Sequence, residues 1–255
     1  MSSKTTIAFL LVHGAWHDST TWSKVVPLLE ARLPGAISVT VDLPSSGAVP
    51  GIDSCEPDYA VVHDAAKKLV EEGKNVIIVM HSYGGLVGTN GSQGLSRQEL
   101  SKEKKTVEGA VVGMVYISAY VRSLGQSLIE EGMAFRQIGA VDGELKIISM
   151  PADDAREAFY HDLPEEEIVH HISKLRPQSL ATSFGEGRYE PWNHGVPCLF
   201  VLTANDGSIP PVYQEKMAAR GKMDVVRVDA AHTVMLSQPE VTADAIIKFA
   251  TKSQI

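Results

Sequence analysis

Cysteine is scarce in this 255-residue chain: Cys55 and Cys198 are the only two, too few for a disulfide framework. Cys198 lies in an apolar run and reads as a packed thiol. Basic residues are also short, with 23 Lys and Arg against 31 Asp and Glu, a net charge of −8. That balance leaves no basic footprint for a nucleic acid. No apolar run approaches the roughly 20 residues that span a bilayer. No signal-like apolar stretch precedes the first run at Ile7. The expectation is a soluble, cytoplasmic protein without a membrane or nucleic-acid partner. Phosphate and dinucleotide motifs are missing too. Gly84-Gly85 is not followed by Lys-Ser/Thr, and Gly14-Ala15-Trp16-His17 stands where G-x-G-x-x-G would follow a first strand. No Cys/His set has zinc spacing. The chemistry is expected to need neither cofactor nor metal.

What is present is an alternation of apolar runs and helical patterns. Ile7–Val12 is almost purely apolar, as a strand covered on both faces should be. Residues 20–32 carry Trp22, Val25, Val26, Leu28 and Leu29 at helical spacing, with Ser19 or Thr20 as the cap. Residues 36–42 form the next strand, and the Pro, Gly and Ser of 44–53 a loop. Residues 59–72 are helical and stop at Gly73. Strands follow at 75–80, 107–117, 196–203 and 223–228, and the lysine-rich stretch 92–106 reads as a solvated excursion. Strands alternating with helices predict a mostly parallel sheet with helices on both faces. The 44% hydrophobic content supports one such domain.

The chemistry lies at strand ends. Val76-Ile77-Ile78-Val79-Met80 runs into His81-Ser82-Tyr83-Gly84, and the small residues Gly84, Gly85 and Gly88 then open a helix. This is the pattern of a nucleophile elbow, with the serine hydroxyl pushed out of the sheet and a helix N-terminus behind it. Asp206 follows the run at 196–203, and His232 follows the run at 223–228. In an open parallel sheet, ligands bind beyond the carboxyl ends of the strands. The order Ser, Asp, His separates this chain from the chymotrypsin-like and subtilisin-like arrangements. Ser82 would be the nucleophile, His232 its base and Asp206 the group that holds the imidazole tautomer. Tyr83, the residue after the nucleophile, would give one backbone N–H to an oxyanion. Asp42 and Asp229 read as carboxylates that shape loops, and His81 as packed beneath the site.

These segments, with Phe9-Leu10-Leu11-Val12-His13-Gly14-Ala15-Trp16-His17, Val41-Asp42-Leu43-Pro44 and Asp206-Gly207-Ser208-Ile209-Pro210-Pro211, resemble the α/β-hydrolase superfamily over nearly the whole chain. Within it, the chain is similar to small esterases and to the plant methylesterase and hydroxynitrile lyase group. The resemblance implies an α/β-hydrolase fold with core residues 1–121 and 196–255 and a helical cap at about 122–195. It places the second oxyanion N–H at Ala15. Gly14, Trp16, His17, Phe135, Phe159 and Trp192 are the expected substrate-binding residues. The chain departs from G-x-S-x-G at Met80, a large residue two before the serine. Thr233 and Gly14 stand where the lyases carry Lys and Thr, which favours ester hydrolysis over cyanohydrin cleavage. The expected substrate is a small-to-medium apolar ester, lactone or related carbonyl compound. A lyase and a receptor-like binder with little turnover are the alternatives. A homodimer is left open.

Overall fold

The computed structural model describes residues 6–102, 108–127 and 139–252. Its centre is a six-stranded sheet of β1 (Ile7–Val12), β2 (Ile37–Val41), β3 (Asn75–His81), β4 (Ala110–Ile117), β8 (Cys198–Thr203) and β9 (Asp224–Val228). The spatial order is β2-β1-β3-β4-β8-β9, and every pairing is parallel. β3, β4 and β8 are buried along their whole length, because helices cover both faces. Such strands must be continuous apolar runs, which is why they stand out in the sequence. At the edge, β9 is exposed over Asp224-Val225-Val226-Arg227.

The helices are α1 (Val26–Arg32), α2 (Glu56–Glu71), α3 (Gly84–Gly91), α4 (Arg97–Lys102), α7 (Pro211–Arg220), α8 (Val234–Ser237) and α9 (Pro239–Lys252). Two local readings need correction. The expected helix at 20–32 is a short 3-10 turn, Ser19–Trp22, followed by α1, and the capping acceptor is Asp18, which takes the N–H of Thr20 at 2.9 Å. The excursion at 92–106 contains α4, which buries Leu100.

The chain reverses direction across the sheet between β1 and β3. After β2 forms on one side of β1, the chain returns to the other side. The crevice at such a switch point, beyond the carboxyl ends, is the natural place for a ligand.

Between β4 and β8 the chain leaves the sheet. This segment was expected to be helical. It does contain α5 (Ala152–Ala155), which runs into a π turn at Arg156–Tyr160, and α6 (Glu165–Ile172). It also contains an antiparallel sheet of β5 (Ala140–Asp142), β6 (Ile147–Ser149) and β7 (Gln178–Ser179). Strands of two or three residues give no readable alternation. This small sheet reaches the β1 loop: Arg176 N–H donates to Trp16 C=O at 2.9 Å, and the Trp16 indole N–H donates to Ile148 C=O at 2.9 Å. The segment follows the fourth strand of the central sheet, β4.

Candidate active site

β3 ends at His81, and Ser82 turns the chain at φ +52° before α3 begins at Gly84. A left-handed serine costs about 1–2 kcal/mol, so neighbours must hold it there. They do. Ser82 N–H donates to Ile117 C=O, and Ser82 C=O accepts from the N–H groups of Gly85 and Tyr120, both at 3.0 Å. Trp16 (φ +63°) and Ser118 (φ +44°) are also left-handed. The three lie just past the carboxyl ends of β1, β3 and β4, and strain gathered at one place points to function.

The large Met80 fits because Gly88 does not fill the space. A Cβ on Gly88 would stand 2.5 Å from the Met80 sulfur. The thioether lies against α3 where that helix lacks side chains, so the elbow accommodates the residue. Gly14 meets the elbow in the same way: its Cβ would stand 2.9 Å from both Ser82 Cβ and His81 Nδ1. Only glycine lets the β1 loop approach this closely.

Asp206 and His232 meet beyond β8 and β9. His232 Nδ1–H donates to Asp206 Oδ2 at 2.9 Å, with Oδ1 at 3.1 Å, and both side chains are buried. Asp206 Oδ2 also accepts from Ser118 Oγ–H, from Thr203 Oγ1–H at 2.7 Å and from Gln214 Nε2–H at 3.0 Å. Oδ1 takes the N–H groups of Ser208 and Ile209, each at 2.7 Å. Burial alone would raise this carboxyl. The charge of His232, with the hydrogen bonds from His232, Ser118 and Ile209, outweighs it, and the pKa lies below the usual aspartate value. Asp42 and Asp229 serve elsewhere. Asp42 accepts from Ser19 N–H at 2.7 Å, and Asp229 accepts from Asn205 Nδ2–H at 2.6 Å.

The β1 loop is held by histidines. His13 Nδ1–H donates to Gly14 C=O at 2.8 Å, while its Nε2 accepts from Leu43 N–H at 3.0 Å. His17 Nδ1–H donates to Ala15 C=O at 2.7 Å, and its Nε2 accepts from Tyr160 O–H at 2.7 Å. His81 Nε2–H donates to His232 C=O at 3.1 Å, with the two rings 4.6 Å apart; its Nδ1 has no partner among the described residues. Among the described residues no carbonyl takes the N–H of Ala15 or Tyr83.

Burial disfavours the charged form of all three buried rings. It lowers the pKa of His13, drives that of His17 down to about 3, and drives that of His81 well below the ordinary 6.5. In the unfolded chain each takes a proton near pH 6.5, while in the folded chain each takes it only at lower pH. Below that pH the unfolded state therefore binds more protons, and stability falls as the pH falls, for His17 until about pH 3. Each ring accounts for up to about 1.4 kcal/mol per pH unit. Unfolding free energy from urea titrations is expected to decline between pH 7 and pH 5, and His17→Gln should flatten the slope. A wild-type stability that is constant across this range would show that the rings accept protons inside the fold.

Of the other expected substrate-binding residues, Phe159 reaches the site. Its ring stacks on His232 with centroids 5.4 Å apart, and lies 5.8 Å from Trp16 and 5.4 Å from His17. Trp192 does not. It packs by Gly221 near Cys198, where β8 begins, while Asp206 follows the other end of that strand. Phe135 lies outside the described residues. Sequence reading missed Ser118, Thr203 and Gln214, which hold Asp206, and Tyr160, which holds His17. Ser118 was the most findable, a hydroxyl directly after the apolar run of β4. Among the described residues no group of three metal-binding side chains occurs, and no helix is long and apolar enough to cross a membrane.

Comparison with known proteins agrees with the fold and the motifs. The Alpha/beta hydrolase family matches residues 9–245. The chain is 28% identical over 249 residues to Alpha/beta hydrolase nvfD of Aspergillus novofumigatus, covering 94% of each chain. It is 26% identical over 272 residues to Methylesterase 1 of Arabidopsis thaliana, covering 96% of each. Among solved structures, polyneuridine aldehyde esterase superposes with a TM-score of 0.76 at 18% identity, covering 96% of this chain and all of that one. The pyrethroid hydrolase PytH gives 0.75 at 21% identity, with 97% and 98% covered. With this fold, these strand-end residues and these relatives, the chain belongs to the α/β-hydrolase family, is an enzyme of it, and is similar to the plant methylesterase and hydroxynitrile lyase group.

Proposed function

We propose that the chain is a serine hydrolase that cleaves a small-to-medium apolar ester or lactone through an acyl-enzyme on Ser82. The observation that carries this reading is the buried His232–Asp206 pair at the same sheet end as the left-handed Ser82. With Nδ1–H committed to Asp206, His232 Nε2 is the nitrogen left to take the Ser82 proton and return it to the leaving alcohol. The negative oxygen of the tetrahedral intermediate would lie between the N–H groups of Ala15 and Tyr83. Such donors act where charge develops and are worth about 3–4 kcal/mol each. Water would then attack the acyl group, with the same histidine as base.

Relatives named as methylesterases, an esterase and a pyrethroid hydrolase support an ester as substrate class. A relative named as a hydroxynitrile lyase, at 23% identity, keeps the lyase in the test. Gly14 and Thr233 argue against it, since the residue directly after His232 is Thr233, not a lysine, and Gly14 carries no hydroxyl.

A panel of aryl acetate, aryl butyrate, simple methyl esters and mandelonitrile decides the class. Hydrolysis of esters without cyanide release supports the proposal, and cyanide release without ester turnover removes it. The same panel tests the cap. Phe159, stacked on His232, is assigned to the wall of the pocket. Phe159→Leu is expected to change the butyrate-to-acetate ratio of kcat/KM by about tenfold, the value of one or two methylene contacts. Trp192→Leu, at the other end of β8, should leave that ratio unchanged. A common factor for all esters in Phe159→Leu would give Phe159 a supporting role only.

A further inference from the structure

The two N–H groups assigned to the oxyanion hole come from loops after different strands, and one chain of hydrogen bonds joins the residues beside them. At one end, the Ala15–Trp16 peptide, which follows directly on the Ala15 N–H, is clamped on both sides. Its carbonyl accepts from His17 Nδ1–H at 2.7 Å, and its N–H donates to Gln178 Oε1 at 3.0 Å. Gln178 belongs to β7, in the segment between β4 and β8. Its Nε2–H donates to Ser45 Oγ at 2.7 Å. Ser45 N–H donates to Asp58 Oδ1 at 2.9 Å, and Asp58 Oδ2 accepts from Tyr83 O–H at 2.7 Å. Tyr83 is the residue whose own N–H forms the other half of the hole.

The side chains of this chain are hidden from solvent: Gln178 and Tyr83 are almost completely buried, and Ser45 and Asp58 fully so. Buried polar groups are costly unless satisfied, and here each finds its partner. The direction is fixed as well. Trp16 N–H can only donate, so the glutamine oxygen must face it and the glutamine NH2 must face Ser45. An amide is suited to this position because it accepts at one end and donates at the other. Trp16 is left-handed at φ +63°, a conformation that needs an external hold. Gln178 supplies the hold on its N–H.

We propose that Gln178 is a positioning residue for the oxyanion hole. Through Ser45 and Asp58 it ties the peptide next to the Ala15 N–H to the Tyr83 side chain, so that docking of β7 sets the spacing of the two N–H donors. This inference rests on the serine-hydrolase reading of Ser82. It gives the segment between β4 and β8 a part in the chemistry as well as in substrate choice.

The test uses the full chain with aryl acetate, and with a trifluoromethyl ketone, whose adduct on Ser82 would place an oxyanion in the hole. Turnover is expressed per active site titrated with a fluorophosphonate, so that loss of folded protein does not count as loss of catalysis. Removal of an oxyanion donor outright costs about 10²–10³-fold, and Gln178→Leu, which loosens one, is expected to lower kcat per titrated site by about 10–100-fold. KM should stay within about threefold, and the ketone should bind more weakly by about the same factor as the kcat loss. Gln178→Glu, neutral at this buried position, keeps an acceptor for Trp16 N–H and an O–H donor for Ser45 Oγ, and should restore most of the rate. Tyr83→Phe should lower kcat in the same way, and the Gln178→Leu, Tyr83→Phe double variant should lose less than the product of the two.

Unchanged kcat per titrated site in Gln178→Leu, in an otherwise active enzyme, overturns the positioning role and leaves the hydrolase reading intact. The same holds if only the number of titratable sites falls. If Gln178→Leu does not fold, an unchanged kcat per site in Tyr83→Phe overturns it. A wild type that neither hydrolyses the ester nor takes the fluorophosphonate on Ser82 removes both readings.

Discussion

Ser82→Ala is expected to lower kcat on an aryl ester by about 10⁶-fold, the scale seen when the nucleophile of a serine hydrolase is deleted. The fold should remain. The bonds that hold the elbow belong to the backbone of residue 82: its N–H to Ile117 C=O, and its C=O from the N–H groups of Gly85 and Tyr120. Alanine meets the same left-handed strain as serine, so the change in unfolding free energy should stay below about 1 kcal/mol. The oxyanion donors would survive, and a residual rate of about 10³-fold over water is expected from them and from binding. The measurements are kcat by spectrophotometry, the melting curve, and the intact mass after fluorophosphonate treatment. The wild type should gain one adduct, mapped to the peptide containing Ser82, and the variant none. A variant that keeps turnover, or an adduct on another residue with Ser82 unmodified, would place the nucleophile elsewhere.

The parts legible in the sequence were those that one segment determines by itself. β1, β3, β4 and β8 read as uninterrupted apolar runs because each is buried on both faces. Ser82 and Asp206 could be picked out because each follows such a run at a turn, and His232 because it follows the last strand, β9, in the same way. The sequence pattern alone could not say how Met80 fits, since the answer lies in Gly88, a turn into the next helix. The small sheet was illegible for a different reason. β5, β6 and β7 have two or three residues each, and β5 is exposed throughout, so neither period nor apolarity marks them. Gln178 carries no local signal at all. Its role is defined by Trp16, 162 residues away, and Ser45, 133 away. Trp192 shows the opposite failure: a bulky residue of the expected cap reads as pocket lining, yet the chain takes it to the start of β8.

Asp206→Asn is expected to lower kcat by about 10⁴-fold, through the tautomer of His232 rather than through a lost fold. The surroundings fix how the new amide must sit. Ser208 and Ile209 present backbone N–H groups to Oδ1, and these can only donate. The amide oxygen must therefore take that side, which puts the NH2 where Oδ2 stood. There it faces His232 Nδ1. To accept from the amide, Nδ1 must give up its proton, and the ring then carries hydrogen on Nε2. That nitrogen can no longer accept a proton from Ser82. The hydroxyls of Ser118 and Thr203 can rotate to suit the NH2, but Gln214 Nε2–H cannot, because the same amide also donates to Ile209 C=O at 2.7 Å and accepts from Thr203 N–H at 3.1 Å. One buried donor left unmatched costs about 1–3 kcal/mol of stability, so the melting temperature should fall as well. Asp42→Asn and Asp229→Asn set the comparison. Their carboxylates bond to Ser19 and Asn205 and touch neither ring nitrogen of His232, so kcat should change by less than about threefold. Near-normal turnover in Asp206→Asn, with turnover lost in either of the other two, would move the acid of the triad to that residue.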